Sequence, residues 1–424
     1  MNYINTKDVN EKVSFRDATL NGLASKKGLY VPETTPTLPA SFFKNITKMN
    51  DVEIAFDVMQ PFVEGSLSDS SLKKIVQETL SFPLPVVNLH ENIHVLELFH
   101  GPTMAFKDVG ARFMARCLSE FTTPGKTVKV IVATSGDTGS AVANGFYKVE
   151  GVEVFILFPK GKISAFQEQQ MTSLGENIKA IEVEGTFDDC QALAKQALND
   201  QALKSRIQLS SANSINAARF LPQMLYYFLA YKQLHALLEG KEWIVSVPSG
   251  NFGNLTAGLN AKKMGLPVHR FIAANNANDT FYQYYLSGLY QPKPSIQTYS
   301  NAMDVGAPSN FERIMHLYNN DHKAIKKDIL AATFSDEATL EQIRATHQKT
   351  EYVLDPHGAV GLLALEANLK HRQTGLFLAT AHPRKFEAVV KKAIPGYPMN
   401  KVNSDSGFKT KIKNEYNSLV GILG

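Results

Sequence analysis

Apolar residues in this chain come in short runs that stop at glycine- or serine-rich turns and give way to a helical spacing. Val128–Thr134 (VKVIVAT) leads into SGDTG and then AVANGFYKV. Trp243–Val247 (WIVSV) leads into PSGNFGN and then LTAGLNAKKMG, and Leu376–Thr380 (LFLAT) leads into AHP and then RKFEAVVKKA. Bounded apolar runs read as buried strands, and the segments after them as helices. Val152–Phe158 and Arg270–Ala273 add further buried strands, and a short strand is expected at Val95–Leu98. Strands alternating with helices predict βαβ units and mostly parallel, open, twisted sheets, an α/β fold. The first 95 residues read as mixed α/β with helical patches such as Ser71–Ser81, a pattern ended by Pro83 and Pro85. The expected organisation is therefore an N-terminal α/β region, 1–95, followed by two sheet domains, 96–240 and 241–424. In parallel sheets, ligands gather at the loops beyond the strands' carboxyl ends, so the three turns above become site candidates.

Composition adds limits. A chain of 424 residues suits two or three domains of ~150 residues. Hydrophobic residues at 44% and charged residues at 20% are ordinary for a globular protein. The net charge of +4 is spread along the chain, which argues against a nucleic-acid partner. Cys117 and Cys190 stand apart from any CxxC pair, against a disulfide framework or a cysteine zinc site. No run approaches the ~20 apolar residues needed to span a bilayer; the longest, around Leu225–Ala230, is flanked by Gln223 and Lys232. The opening MNYINTKDVNEKVSF lacks the apolar core of a signal peptide, so the expectation is a cytoplasmic protein with no membrane partner.

Four motifs carry candidate chemistry. Lys107 lies in His100–Arg112, HGPTMAFKDVGAR, just before a helical pattern in which Val109, Phe113, Cys117 and Phe121 recur at i, i+4. A lysine at a helix start beside Phe106 is less solvated than a surface lysine; desolvation lowers its pKa and frees the amine for Schiff-base chemistry. The alternative is a surface lysine paired with Asp108. In Ser135–Gly139, SGDTG, glycines let the backbone present N–H groups at a helix start, suited to a carboxylate or phosphate. Asp137 sits awkwardly beside an anion and serves equally as a helix cap. Ser249–Asn254, SGNFGN, places two glycines between strand and helix, a cradle of donors fitting a phosphate monoester. Thr380 offers a hydroxyl for a heteroaromatic nitrogen or for nearby backbone.

Other signatures fail. GxGxxG and GxxxxGK[ST] are absent, against a dinucleotide fingerprint or a nucleotide P-loop. There is no GxSxG elbow. His90–His94, HENIH, matches HExxH, but the proline-bearing approach and the strand-like VLEL after it deny the helix that zinc ligation requires; no metal is expected.

The order of the pieces is more specific than any one of them. HGPTMAFKD, TSGDTGSA, SANSIN at Ser211–Asn216, PSGNFGNLTAG, DPHGAVG at Asp355–Gly361 and TAHPRKF, preceded by VSFRDATLNGLASKKGLYVP, together resemble threonine synthases of the branch with an extra N-terminal region. The resemblance spans nearly the whole chain and weakens after about residue 390. It implies the β-family fold of pyridoxal-phosphate enzymes, shared with tryptophan synthase β chains and serine dehydratases. It implies that Lys107 carries pyridoxal 5'-phosphate as an imine and acts as the catalytic base, and that Ser249, Gly250, Asn251, Phe252, Gly253 and Asn254 hold the cofactor phosphate. Thr380 would face the pyridine nitrogen. Thr134, Ser135, Gly136, Asp137 and Thr138 would hold the substrate's α-carboxylate, although Asp137 stands where relatives in the wider fold carry Asn against the cofactor's phenolic oxygen.

The implied reaction converts O-phospho-L-homoserine and water into threonine and phosphate, in a monomer or homodimer. The substrate phosphate needs its own cationic pocket, for which Arg112, Lys162 and Arg219 are candidates; each also has a structural reading, such as Arg112 pairing with Asp108 one turn away. Alternatives are a dehydratase or cysteine-synthase-like lyase on the same fold, a non-catalytic relative that binds a phosphorylated amino acid, and a nicotinamide dehydrogenase, which the missing fingerprint disfavours.

Overall fold

A computed structural model describes residues 1–123, 125–398 and 407–424. Among them are three sheets. A small antiparallel one at the N-terminus orders Asp8–Ser14, Asn2–Asn5 and Tyr30–Pro32. A five-stranded, all-parallel sheet runs Lys409–Lys413, Ile178–Glu184, Val152–Pro159, Val128–Ala133, Gln208–Ser211. A six-stranded sheet runs Ile329–Thr333, Val268–Asn275, Glu242–Pro248, Gln373–Ala379, Ile93–Glu97, Val86–His90, parallel except for the last pair.

The apolar runs are the central strands. Val130, Ile131 and Val132 are fully buried, as are Leu376, Phe377 and Leu378. Burial on both faces is what near-continuous hydrophobic runs in parallel sheets predict. The Leu225–Ala230 run is the helix Met224–Leu234, buried on nearly every side and so a core helix; no helix among the described residues is long and apolar enough to cross a membrane. The N-terminal helix expected at Ser71–Ser81 starts earlier, at Asp69–Thr79, because the Ser68 side chain accepts from the Ser71 amide and caps it. His90 and His94 fall on the two strands of a hairpin, so HENIH lacks its helix.

The sheets do not follow the linear division at 95/96 and 240/241. The hairpin Val86–His90/Ile93–Glu97 is an edge of the six-stranded sheet, where Ile93–Glu97 lies parallel to Gln373–Ala379. Near the other end of the chain, Lys409–Lys413 extends the five-stranded sheet beside Ile178–Glu184. Strand pairing is decided by non-local register, which local apolar periodicity does not record.

This topology aims three neighbouring strands at one place. Glu242–Pro248, Gln373–Ala379 and Ile93–Glu97 are consecutive and parallel. Their carboxyl ends lead into the 249–254 turn, Thr380 and the segment that carries Lys107. From the other sheet, Val128–Ala133 and its neighbour Gln208–Ser211 deliver SGDTG and the SANSIN segment.

Candidate active site

Lys107 opens the helix Lys107–Phe121, whose inner face buries Val109, Phe113, Cys117 and Phe121 as the spacing predicted. The approach to it is pinned from three sides. Leu98 N donates to Ala379 O at 3.0 Å and Phe106 N to Thr380 O at 2.8 Å. The Tyr226 hydroxyl donates to Phe106 O. Asp108 does not pair with Lys107: it accepts from Thr103 N at 2.9 Å and Thr103 Oγ1 at 2.6 Å. The Lys107 amine instead sits 4.9 Å from the centre of the Phe106 ring and faces Asp137, with Nζ to Oδ2 at 3.9 Å. Burial lowers the Lys107 pKa; Asp137 pulls it back up, while Lys385 and Arg219 push it further down. A lowered pKa keeps more of this nitrogen as free amine, the form that attacks a carbonyl.

The SGDTG turn is wound tightly around Thr134, whose Oγ1 accepts from Gly136 N at 2.9 Å and Gly139 N at 2.8 Å. That use turns the Thr134 hydroxyl back into the turn, whereas Ser135, Asp137 and Thr138 line the cleft. Gly136 has φ of 132°, and a Cβ there would lie 2.4 Å from the Gln167 side chain, so only glycine fits. Asp137 does not act as a side-chain cap. Its Oδ1 accepts from Gln167 Nε2 and from Lys385 Nζ, both at 2.8 Å. Burial pushes Asp137 up, but Lys385 and Lys107 outweigh it and hold the carboxyl well below the usual range.

The 249–254 turn forms the opposite wall and ends at the helix Gly253–Lys263. Phe252 takes a left-handed conformation, φ 61°, which folds the turn onto the helix start. Among the described residues, the amides of 250 to 254 meet no protein acceptor. Asn254 Nδ2 is also buried without a partner among the described residues, although its Oδ1 accepts from Tyr227. Unpaired buried donors at a helix start are a site for an anion. Thr380 lines the same cleft, nearly buried, and its hydroxyl has no protein partner among the described residues. The backbone alternative for that hydroxyl is therefore not what the fold uses.

Every cofactor residue expected from the sequence thus meets in one cleft: Lys107, Ser249, Gly250, Asn251, Phe252, Gly253, Asn254 and Thr380. The cationic candidates separate. Arg219 lines the cleft, 2% exposed, with Nη1 on Ala212 O and Nε without a partner among the described residues. Its burial lowers its pKa to about 10. Arg112 points away from the cleft, donating to Glu78 O at 2.7 Å and Ser81 Oγ at 2.9 Å, and it is not paired with Asp108. Lys162 is exposed in the turn after Val152–Pro159 and does not line the cleft.

Sequence reasoning missed several contributors. Asn213 and Ser214 line the cleft; Ser214 Oγ accepts from Asn251 Nδ2 at 2.7 Å and so ties SANSIN to the cradle. His357 is held by Asp355 at 2.6 Å and accepts from Ala302 N at 3.2 Å, which seats the 301–303 turn over Gly250. Lys385 and Gln167 both reach Asp137. Of these, only the Ser164-x-x-Gln167 capping box was legible as a pattern.

Comparison with known proteins agrees with this geometry. Residues 77–378 match the family described as pyridoxal-phosphate dependent enzyme, and residues 2–80 match threonine synthase N terminus. The chain is 44% identical over 394 residues to a threonine synthase of Haemophilus influenzae, covering 93% of this chain and 91% of that protein. The crystal structure of threonine synthase from Escherichia coli superposes with a TM-score of 0.93 at 40% identity, covering 100% of this chain and 99% of that one. The PLP-bound threonine synthase from Brucella melitensis gives 0.92 at 35% identity, covering 100% and 98%. Unpaired amides at the cradle, a desolvated lysine across the cleft and near-complete coverage by these relatives converge, and the chain belongs to the threonine synthase family of pyridoxal-phosphate dependent enzymes.

Proposed function

We propose that this chain carries out the threonine synthase reaction, O-phospho-L-homoserine and water to threonine and phosphate, with Lys107 as the residue that holds the cofactor and moves protons. One observation carries the reading: a desolvated amine at position 107, five amides at 250 to 254 and the hydroxyl of Thr380, these last six without a protein partner among the described residues, face a single cleft. Those groups match the aldehyde, phosphate and ring nitrogen of pyridoxal phosphate. When bound, the cofactor supplies an electron sink for carbanion charge.

The chain's own groups do the rest. The Ser249–Asn254 turn holds the phosphate monoester by N–H donors and the helix start. The Thr380 hydroxyl meets the pyridine nitrogen with a neutral partner rather than a carboxylate. Ser135, Thr138 and the amides around Gly136 receive the substrate's α-carboxylate, with Asp137's charge already engaged by Lys385. Arg219, with Asn213 and Ser214 beside it in the wall, receives the departing phosphate. Lys107 takes the proton from Cα and passes it to solvent, then takes the proton from Cβ; the Cγ–oxygen bond breaks with its electron pair leaving on the phosphate, and Lys107 returns the Cβ proton to Cγ, which becomes the methyl group. Water adds its hydroxyl at Cβ, its second proton passes to Lys107, and Lys107 delivers that proton to Cα. An amine just released from the reacting centre stays within reach for these transfers.

Borohydride reduction of the cofactor-loaded protein followed by peptide mapping tests this. The expected label is on Lys107, and Lys107→Ala is expected to lose both the visible absorption band and phosphate release from phosphohomoserine. A label on another lysine overturns the assignment. Turnover of serine or threonine without turnover of phosphohomoserine selects the dehydratase reading instead.

A further inference from the structure

The carboxylate that faces Lys107 is itself held by a fully buried cation. Lys385, in the turn Pro383–Phe386, has a side chain with no exposed surface. Its Nζ donates to Asp137 Oδ1 at 2.8 Å and to Thr103 O at 2.7 Å. Thr103 in turn donates through its amide and hydroxyl to Asp108. Because Lys385 and Gln167 both hold Oδ1, the Asp137 carboxylate is fixed in rotation, with Oδ2 left toward Lys107 Nζ at 3.9 Å. The contacts run from buried cation to carboxylate to reactive nitrogen.

The charges facing that nitrogen come from four elements. They are Asp137 at the start of the helix Asp137–Phe146, Lys385, Arg219 in Ala217–Phe220, and Asp355 at the cap of Pro356–Asn368. With Lys107 as its only cation, a buried carboxylate this close would hold a proton on that nitrogen strongly, since Coulomb attraction is weakly screened away from water. A protonated nitrogen is neither nucleophile nor base. A second cation on the other carboxylate oxygen divides the field and opposes the first.

We propose that Lys385 is a positioning residue for this reaction: it locks Asp137 with one oxygen turned to the nitrogen at position 107 and, by sharing that carboxylate's charge, lets the nitrogen release its proton within the working pH range. The inference rests on Lys107 holding the cofactor. It differs from a merely structural ion pair, whose replacement would change stability or cofactor affinity and leave proton affinity at position 107 alone.

The test is a pH titration of the visible absorption band of the pyridoxal-phosphate-loaded enzyme. Lys385→Met is expected to raise the midpoint by about one pH unit or more, a roughly tenfold gain in proton affinity. Lys385→Arg keeps the cation and is expected to leave the midpoint near the parent value. Asp137→Asn removes the attraction and keeps the repulsion, so its midpoint is expected to fall. A Lys385→Met enzyme that folds, binds cofactor and titrates at the parent midpoint overturns the proposal. Should Lys385→Met lose the cofactor, Asp137→Asn decides: a midpoint unmoved or raised there overturns it equally. A band that survives Lys107→Ala is a separate outcome and brings down the cofactor assignment instead.

Discussion

At the scale of single residues, what decides a role is which way a side chain faces, and two arginines make the point. Arg112 stands five residues from Lys107 in sequence, yet it spans outward to Glu78 O and Ser81 and lies over the Phe82 ring at 5.9 Å. Arg219 is more than a hundred residues away and lines the cleft with an Nε that meets no partner among the described residues. Charge-assisted hydrogen bonds to an anion contribute about 1.5–3 kcal/mol. Arg219→Met is therefore expected to raise the KM for phosphohomoserine by about tenfold to a hundredfold. Arg112→Ala is expected to leave that KM within about twofold while lowering stability by roughly 1 kcal/mol through the lost bond to Glu78 O. Steady-state kinetics and urea unfolding of the two variants check both halves, and a large KM effect in Arg112→Ala would reverse the assignment. The proximity of Arg112 to the motif was visible in the sequence. Its direction was not, because helix phase fixes direction only to within a face.

At the scale of elements, the turns that hold ligands were the most legible part of the chain, since their chemistry is local. Two glycines between an apolar run and a helical pattern specify a turn that presents N–H groups, whatever the rest of the fold does. Gly250 adds a constraint that the pattern does not contain: a Cβ there would lie 2.7 Å from Met303 Cα, so a backbone segment rather than a flexible side-chain end would have to shift. Gly250→Ala is expected to push the 301–303 turn away from the cradle and weaken cofactor binding by about tenfold, since overpacking costs about 1–3 kcal/mol. Fluorescence titration of cofactor into the stripped variant measures this, and unaltered affinity would mean that the 301–303 turn yields freely. Lys385 shows the opposite limit. RKFEAVVKKA reads as a helical pattern after the AHP turn, and nothing local distinguishes Lys385 from Lys391 or Lys392. Its burial follows from Asp137, a carboxylate brought from a different sheet.

At the scale of the molecule, the chain's order and its spatial order part company, and the N-terminal region acquires a use that its composition did not suggest. The hairpin Val86–His90/Ile93–Glu97 and the late strand Lys409–Lys413 cross the expected boundaries to complete sheets, and Arg313 links the N-terminal sheet to the cleft. It is 1% exposed, with the guanidinium 4.1 Å from the centre of the Phe220 ring and no carboxylate partner within ion-pair distance among the described residues. It donates to Tyr30 O at 3.0 Å in the N-terminal sheet and to Ser214 O at 2.9 Å and Ile215 O at 2.5 Å in the SANSIN segment. It also donates to Asn310 Oδ1 at 2.5 Å, and Asn310 Nδ2 reaches Ser214 Oγ at 3.1 Å and Asn251 O at 3.0 Å in the phosphate cradle. One cation thus satisfies carbonyls from the N-terminal sheet and from the SANSIN wall, and through Asn310 it is tied to the cradle wall as well. Arg313→Met keeps much of the volume but leaves those buried acceptors unpaired, at about 1–3 kcal/mol for each that water does not reach. The expected result is a loss of stability on the order of 3 kcal/mol in urea unfolding, with a weaker grip on the cofactor. A variant that keeps full stability would mean that the carbonyls find water, and that the N-terminal region is held to the cleft by apolar packing alone.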